Sequence, residues 1–348
     1  MVHVRKIIKG RCKMTITDVA KLAGVSKTTV SRVLNRRGPL SEKTIKKVED
    51  AMEELGYFPN EHARALSGVT SRVIGVVISA FNNPFHSELL QQISLAVRSN
   101  GYSILIASSA EIGAGMPGNG TLGAIEFLLS KQVDAIISMN YIDPEYWPGI
   151  REKCAKTPFI TLLSEIAPDI PSVLSDDKQG GLLAAMHLRA KGCKKIVHVS
   201  GALSDYPYRY VDERSYTFLE ECENYGISTH NYEYSGSLMD LESMQELISR
   251  IFSENMDMDG IFLSNDIFAA QCVAYAQSLG LRIPDDLRVL GYDGIYLGTL
   301  TSPPISTIRQ DFSGLAESAV NIALAKIRGE ETETRVLRPV KLIERKTT

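Results

Sequence analysis

Short hydroxyl and basic side chains are concentrated in the run Ser26–Asn35, at a spacing that suits contact with base pairs. Lys27, Thr28, Ser31 and Arg32 fall on one side of a helix drawn through this run. Hydroxyl groups can bond to several base edges, and the fork of an arginine matches the two acceptors of guanine. The chemistry that this spacing favours is hydrogen bonding to DNA.

Two short helices joined by a tight turn would present these side chains. Thr17 is a suitable N-cap for the first helix, Gly24 supplies the left-handed residue that ends it, and Ser26 can cap the second. The first helix has an apolar stripe on one face, made of Val19, Ala20, Leu22 and Ala23, and the apolar face of the second is Val30, Val33 and Leu34. The pattern predicts a helix-turn-helix whose second helix meets base edges; the alternative is an ordinary pair of surface helices.

A third helix is predicted to complete a small head. Ser41 is a suitable N-cap and Gly56 ends the helix after Leu55. Its apolar residues, spaced for one buried face, are Ile45, Val48, Met52 and Leu55.

A short helical pattern follows Pro59 and contains Ala63, Arg64 and Leu66. A helix this short is marginal in isolation. We therefore expect it to order only against DNA or a second copy of the chain.

Charge is distributed unevenly along the chain. Residues 1–71 carry 14 Lys/Arg against 7 Asp/Glu, a net of +7, whereas the remaining residues carry 24 against 34, a net of −10. A basic module on an acidic body is typical of a head that binds a polyanion. Residues 1–13 are basic and could touch phosphates as an arm; the alternative is an upstream extension, with the start at Met14.

After Arg72 the chain alternates between apolar runs and helical patterns. A continuous apolar run such as Val73–Ile78 predicts a strand that is buried on both faces. The predicted strands are 73–78, 103–107, 134–138, 159–163, 195–200, 260–263 and 288–292, with predicted helices at 85–100, up to 131, at 181–190, at 214–225 and at 266–279. The alternation predicts two tandem α/β units, each a doubly wound parallel sheet, with a ligand crevice at the strand ends.

Polar and aromatic side chains follow several predicted strands. Phe85 could stack on a sugar ring, Asn265 and Asp293 follow two later strands, Arg214 opens a helix, and Gln310 lies at a crossing between the units. Amide, carboxylate and guanidinium groups supply the donors and acceptors that sugar hydroxyls need. Two alternatives stay open, because Asn265 can cap a helix and Asp293 can be a turn residue.

Patterns that could suggest an enzyme or a cofactor are weak. Gly113–Gly118 has GxGxxG spacing, but it follows the second strand and contains Pro117, which favours a flexible loop over a dinucleotide site. Asp176 and Asp177 are adjacent, and adjacent strand residues point to opposite sides. The five cysteines include no CxxC pair. We expect no catalytic residues, no metal and no cofactor.

No apolar run reaches the length of a bilayer span, and no signal peptide with a cleavage site is present. These features predict a cytoplasmic protein without membrane contact.

The run Thr15–Leu66 strongly resembles the DNA-binding headpiece of the lactose-repressor/galactose-repressor (LacI/GalR) family. The matching segments are Asp18–Ser26, Thr29–Asn35 and Tyr57–Leu66, and later blocks extend the resemblance over nearly the whole chain. Within the family, Lys27–Gly38 is most similar to the sucrose-operon repressors.

The resemblance implies a homodimer on double-stranded operator DNA, and a body like that of a periplasmic sugar-binding protein. The predicted DNA contacts are Thr15, Thr17, Ser26, Lys27, Thr28, Thr29, Ser31, Arg32, Asn35, Tyr57, Asn60, Ala63, Arg64 and Leu66. By the same resemblance, Leu66 is a wedge that opens a base step in the minor groove; the alternative is a plain linker leucine. Besides Phe85, the predicted effector contacts are the family-matching Arg214, Asn265, Asp293, Gln310 and Phe312.

Two departures from the family pattern weaken the sugar assignment. An Asp-Arg pair often ends the strand at 159–163 in the family, whereas Leu163 and Ser164 stand there in this chain, with Glu165 as a candidate replacement. Three positions after Arg214, where the family usually has a small residue, this chain has Thr217.

The sequence therefore predicts a transcriptional repressor of a carbohydrate-utilisation operon. A small sugar or sugar phosphate is expected to release it from a palindromic operator or to recruit it there. The resemblance implies that this effector is of the sucrose type. The alternative is an α/β sugar-binding protein or enzyme with an incidental N-terminal extension. The expected divisions are a basic extension (1–13), a helix-turn-helix head (14–58), a hinge and linker (59–71), and a body (72–348). The body is expected to consist of one subdomain at about 72–173 and 313–336 and another at about 174–312 and 337–348. No heptad tail follows, so a dimer is expected.

Overall fold

The computed structural model describes residues 14–35, 38–57, 70–79, 81–109, 119–142, 144–201, 213–234 and 240–348. The chain forms two compact units, Met1–Ser71 and Arg72–Thr348. None of the helices in the described ranges combines the length and the apolar character that a bilayer crossing requires.

The described part of the first unit contains three helices, α1 (Ile16–Ala23), α2 (Lys27–Asn35) and α3 (Glu42–Leu55). Gly24 and Gly56 follow α1 and α3 in the left-handed conformation, at φ of 65° and 57°. The hydroxyls of Ser26 and Ser41 each accept the backbone N–H three residues on, at 3.0 and 3.3 Å. The predicted ends of these helices at the two serines and two glycines are confirmed.

The N-cap of α1 is Thr15, so the prediction of Thr17 was wrong. The backbone N–H and the hydroxyl of Thr15 both donate to the carboxylate of Asp18, at 2.8 and 2.7 Å. Because Asp18 lies three residues after Thr15, it supports the cap there. Thr17 instead lies within the first turn of α1.

The three helices enclose a small apolar core. Its buried residues are Val19, Ala20, Ala23, Val30, Val48 and Ala51. Val33 and Leu34 pack against this core, whereas Leu22 of the predicted apolar stripe is 44% exposed. Val19 and Ala23 lie at the centre of the stripe, and Leu22 lies on its outer flank.

The first sheet of the second unit contains six strands. They are β1 (Val73–Ile78), β2 (Ser103–Ser108), β3 (Ala135–Ser138), β4 (Phe159–Leu162), β5 (Ser172–Ser175) and β11 (Arg335–Arg338). Their order is β11-β5-β4-β3-β1-β2, and all neighbours are parallel. The associated helices are α4 (Pro84–Ser99), α5 (Asn119–Ser130), α6 (Trp147–Lys153) and α11 (Phe312–Ile327).

The second sheet also has six strands. They are β6 (Lys195–Gly201), β7 (Ser228–Tyr234), β8 (Gly260–Leu263), β9 (Arg288–Asp293), β10 (Ser306–Arg309) and β12 (Lys341–Ile343). Their order is β12-β10-β9-β8-β6-β7, parallel except for the edge strand β12. The associated helices are α7 (Asp177–Ala190), α8 (Glu213–Asn224), α9 (Leu241–Glu254) and α10 (Asp266–Ser278).

The chain passes between the two sheets three times, after β5, after β10 and after β11. Because β5 and β11 belong to the first sheet, that subdomain extends to Ser175 and to Arg338. The boundaries expected at 173/174 and 336/337 therefore fall inside strands.

Two adjacent glycines let helices and strands approach closely in the second subdomain. A Cβ on Gly181 would overlap the backbone oxygen of Arg214, and one on Gly180 would overlap the ring of Tyr292. The absence of side chains at these two positions places α7 directly against α8 and β9.

Candidate functional site

α2 presents its polar side chains outward. Lys27, Thr28 and Arg32 are exposed, while Thr29 and Ser31 are half-buried. Exposed basic and hydroxyl groups at the N-terminal end of a short helix are those that a recognition helix inserts into the major groove. This face of α2 is the candidate DNA-contacting surface.

Three of the predicted DNA contacts, Thr15, Ser26 and Thr29, take part in helix capping. The hydroxyls of Ser26 and Thr29 lie 2.9 Å apart, and Ser26 also accepts the Thr29 N–H. The hydrogen bonds from Thr15 hold the pKa of the Asp18 carboxyl below its ordinary value. These side chains fix the ends of the helices, and any contact with DNA must be compatible with that task.

The remaining predicted DNA contacts divide into two sets. Thr17 and Tyr57 are half-buried, and Tyr57 packs against the core of the head. The side chain of Asn35 and all of Asn60, Ala63, Arg64 and Leu66 lie outside the described residues, as does the Gly113–Gly118 loop.

In the second unit, a chain of buried polar groups lies where the two sheets meet. The Gln310 side-chain amide donates to Asp293 Oδ1 at 2.8 Å, and Gln310 Oε1 accepts a hydrogen bond from the hydroxyl of Ser175. Asp293 ends β9, Gln310 follows β10, and Ser175 ends β5 of the other sheet. The structure therefore brings Asp293 and Gln310 together, as a ligand site would require.

Arg214 is held beside this chain by three different contacts. Its Nη1 donates to the backbone oxygen of Ser264 at 2.7 Å, and its Nη2 pairs with Asp177 Oδ1 at 2.9 Å. The guanidinium carbon lies 3.2 Å from the centre of the Tyr292 ring, whose hydroxyl donates to the same Asp177 oxygen. These contacts fix the orientation of the Arg214 guanidinium before any ligand binds.

Phe85 and Phe312 form the apolar part of the site. Their ring centres are 5.3 Å apart at an edge-to-face angle of 67°, and both residues are buried. Asn265 has the alternative role that the sequence allowed, since its Oδ1 accepts the Phe268 N–H at 2.8 Å and caps α10. Asp293 is the last residue of β9 and has a left-handed φ of 96°.

Burial raises the pKa of two neighbouring carboxyls, that of Asp293 at the end of β9 and that of Asp266 at the start of α10. It raises the pKa of Asp293 to about 6, against the opposing effects of Arg214 and Gln310. It also raises the pKa of Asp266 well above its ordinary value, with the nearby charge of Asp293 acting in the same direction. Asp293 is therefore a carboxyl that changes its charge close to neutral pH.

Asp177 and Tyr292 are site residues that sequence reasoning missed. The Asp176–Asp177 pair was interpreted as part of a strand, whereas Asp176 caps α7 and Asp177 is its first residue. Their partners are far along the chain, so no local pattern indicated the role of Asp177. The better signal was the pair of glycines at 180 and 181, which marks a close approach.

Glu165, the candidate replacement for the missing carboxylate, pairs with Arg335 at 3.0 Å. Both line a cavity of about 160 Å³ together with Ser175, Asp177 and Glu213. Glu165 therefore lies beside the polar chain, but its carboxylate has an arginine partner. Thr217, the second departure, is buried and packs against Gly181.

Comparisons with known proteins agree with this architecture. Residues 15–60 match the family described as bacterial regulatory proteins, lacI family, and residues 185–348 match a periplasmic binding protein-like domain. The sucrose operon repressor of Streptococcus mutans is 36% identical over 331 residues, covering 94% of this chain and 97% of the relative. The ribose operon repressor of Halalkalibacterium halodurans is 32% identical over 335 residues, covering 96% and 97%.

Among solved structures, the lac repressor dimer bound to operator and the anti-inducer ONPF has a TM-score of 0.83 and 29% identity, covering 96% of this chain and 99% of that one. A helix-turn-helix head with a body of two parallel-sheet subdomains defines a class of DNA-binding regulators. This chain belongs to the lacI family of bacterial regulatory proteins. It is a transcriptional regulator, so the alternative of an enzyme with an incidental extension is wrong.

Proposed function

We propose that this protein is a sequence-specific repressor of a carbohydrate-utilisation operon, acting as a cytoplasmic homodimer on a palindromic operator. A small sugar or sugar phosphate controls its operator binding, and sucrose is the first candidate. The observation that carries this proposal is the buried chain Asp293–Gln310–Ser175, which joins the two subdomains and offers a carboxylate and an amide to a polyol.

The head supports the DNA part of the proposal. Lys27, Thr28 and Arg32 are exposed on one helix whose opposite face is buried in the head core. Direct readout needs such side chains on a rigid support, since hydrogen bonds to base edges discriminate only when their geometry is fixed. In this proposal Arg32 reads a guanine and Lys27 and Thr28 lie nearest the base edges.

The segment after the head is proposed to act in the minor groove. Asn60, Ala63, Arg64 and Leu66 carry this role by resemblance to the family, with Leu66 as the wedge between base pairs.

The body supports the sugar part of the proposal. Asp293 accepts and Gln310 both donates and accepts, while Phe85 and Phe312 offer apolar surface close to them. Arg214, oriented by Asp177 and Tyr292, could donate to hydroxyls or to a phosphate. This combination is suited to a polyol that presents hydroxyls along its edge and C–H groups on its face.

The names of the relatives suggest which sugars to test first. Sucrose operon repressors are 36%, 33% and 34% identical to this chain, but the ribose operon repressor is 32% identical. These values are close, so sucrose is the first compound to test and ribose is the matched comparison.

The proposal is tested by fluorescence anisotropy of labelled DNA from the region upstream of the coding sequence. We expect tight binding that random DNA of equal length does not reproduce, followed by a change in binding when sucrose, fructose or one of their phosphates is added. Equal affinity for random DNA would contradict the repressor assignment. Specific binding that none of these compounds nor ribose alters would contradict control by these sugars.

A further inference from the structure

Asp293 lies at the start of a turn whose successive backbone amides are bonded to three different side chains. The N–H groups of Gly294–Tyr296 donate in turn to Thr307 Oγ1 at 3.2 Å, Asp266 Oδ2 at 2.9 Å and Glu88 Oε1 at 2.8 Å. The first two acceptors belong to the second subdomain, which also carries the turn. Glu88 belongs to α4 of the first subdomain.

The bond from Tyr296 to Glu88 therefore joins the two subdomains through residues that are not part of the three chain crossings. Contacts at a crossing, such as that between Asp311 and Arg338 at 3.1 Å, join residues that the backbone keeps close in any case. Glu88 and Tyr296 are 208 positions apart in sequence, and nothing in the local backbone holds them together. Rotation of one subdomain against the other would stretch this bond.

The position of Glu88 links it to the candidate effector site. It lies on α4 three residues after Phe85, so both side chains project from the same side of that helix. Phe85 contacts Phe312, and the charge of Glu88 is close enough to Asp293 to influence its ionisation. An ionised acceptor also makes a stronger hydrogen bond to a backbone N–H than a neutral one.

We propose that Glu88 is a positioning residue that ties the turn carrying Asp293 to the first subdomain and so sets how readily an effector changes operator binding. The tie itself stands on the geometry of the turn, whereas its effect on the effector response rests on the proposed function. A hydrogen bond that forms in one arrangement of the two subdomains and breaks in another stabilises the first arrangement. A ligand that binds the other arrangement must supply enough binding free energy to offset that stabilisation.

Hydrogen exchange of the full-length protein tests the tie without any ligand. In Glu88→Ala, we expect the amides of residues 294–299 to exchange at least tenfold faster than in the wild type. Glu88→Gln keeps an oxygen that accepts the Tyr296 N–H, so its exchange should stay close to the wild-type rate. Gln91→Ala changes an exposed position one turn further along α4 and is the matched control, with no expected change. Wild-type exchange in Glu88→Ala would overturn the proposal.

Operator release tests the effect on the effector response. With whichever of sucrose, fructose or their phosphates releases the wild type, we expect the half-release concentration of Glu88→Ala to move by roughly three- to tenfold. A shift in either direction supports the proposal, and its sign identifies the arrangement to which the tie belongs. An unchanged half-release concentration, despite faster exchange at 294–299, would overturn the positioning role.

These two measurements separate the two proposals. If no compound changes operator binding by the wild type, sugar control and the effector role of Glu88 both fail, while the exchange result still decides whether the tie exists.

Discussion

The head and the body hold the polar groups of their candidate sites in opposite ways. On α2, Lys27, Thr28 and Arg32 are exposed. In the body, Asp293 and Gln310 are only 8% and 4% exposed and are bonded to each other. The head therefore offers groups that can meet DNA without breaking internal contacts, whereas a sugar at the proposed site would have to replace bonds that the body already makes. Such a difference suits a protein in which the head supplies the DNA contacts and the body supplies the response to a ligand.

The largest expected effect is at Asp293. Asp293→Ala should weaken the effector response at least tenfold, because loss of an acceptor for sugar hydroxyls costs about 1–3 kcal/mol of binding free energy. It also leaves the buried Gln310 amide without its partner. Operator affinity without sugar should stay within twofold of the wild type. The measurement is an operator-release titration with sucrose, fructose and their phosphates. Wild-type release in this variant would show that Asp293 is only a turn residue.

Arg32→Ala should act on the head in the complementary way. We expect operator binding to weaken by about 1–3 kcal/mol and the preference at one base position to relax, because a bidentate contact to guanine is lost. Competition between operator variants measures both effects. If operator and random DNA weaken equally, Arg32 contacts only phosphate.

The raised pKa of Asp293 sharpens the contrast, because it makes the body sensitive to pH. Since burial raises this pKa to about 6, the carboxyl is mostly ionised at pH 7.5 and mostly protonated at pH 5. Effector affinity should fall as the pH drops through about 6, and Asp293→Asn should remove that dependence. The measurement is calorimetric titration of the wild type and Asp293→Asn with the effector at pH 7.5 and pH 5. The same change in effector affinity for both proteins would contradict a role for the Asp293 carboxyl.

The raised pKa of Asp293 should affect folding stability in the opposite direction to effector affinity, because lower pH should increase stability. A carboxyl whose pKa is higher in the folded than in the unfolded state favours folding at low pH, and that contribution is lost as the pH rises through about 6. Asp293→Asn should therefore gain thermal stability relative to the wild type at pH 7.5 and lose this advantage near pH 4. Equal differences in melting temperature at both pH values would argue against a raised pKa.

The smallest expected effect separates capping from DNA contact at Ser26. Ser26→Ala should destabilise the head by about 1 kcal/mol through loss of the cap on α2, whereas Ser26→Asp restores an acceptor for the Thr29 N–H. Thermal unfolding of the full-length protein reports this difference. If both variants unfold like the wild type, the cap contributes little. If stability is restored in Ser26→Asp but operator binding is not, Ser26 also lies close to DNA.

The ends of the head helices could be predicted from sequence, because caps depend on residues only three or four positions apart. Ser26, Ser41 and the two glycines were therefore assigned correctly. The error at Thr17 was also local: two threonines were suitable, and Asp18, three residues after Thr15, was the signal that distinguished them.

The body was harder to predict for a physical reason. The alternation of apolar runs indicated the two sheets, but the role of Asp177 depends on partners 37 and 115 residues away. No periodicity reports such a contact. The bond from Glu88 to Tyr296 depends in the same way on how the two subdomains meet, and only the folded chain shows it.

We propose that separate sets of residues bind DNA and sugar in this protein. A crossed measurement on Arg32→Ala and Asp293→Ala tests this most directly, with operator affinity by anisotropy and sugar affinity by calorimetry for both variants. We expect Arg32→Ala to lose operator affinity but to bind the sugar like the wild type, and Asp293→Ala to show the reverse. Loss of both affinities in either variant would contradict it.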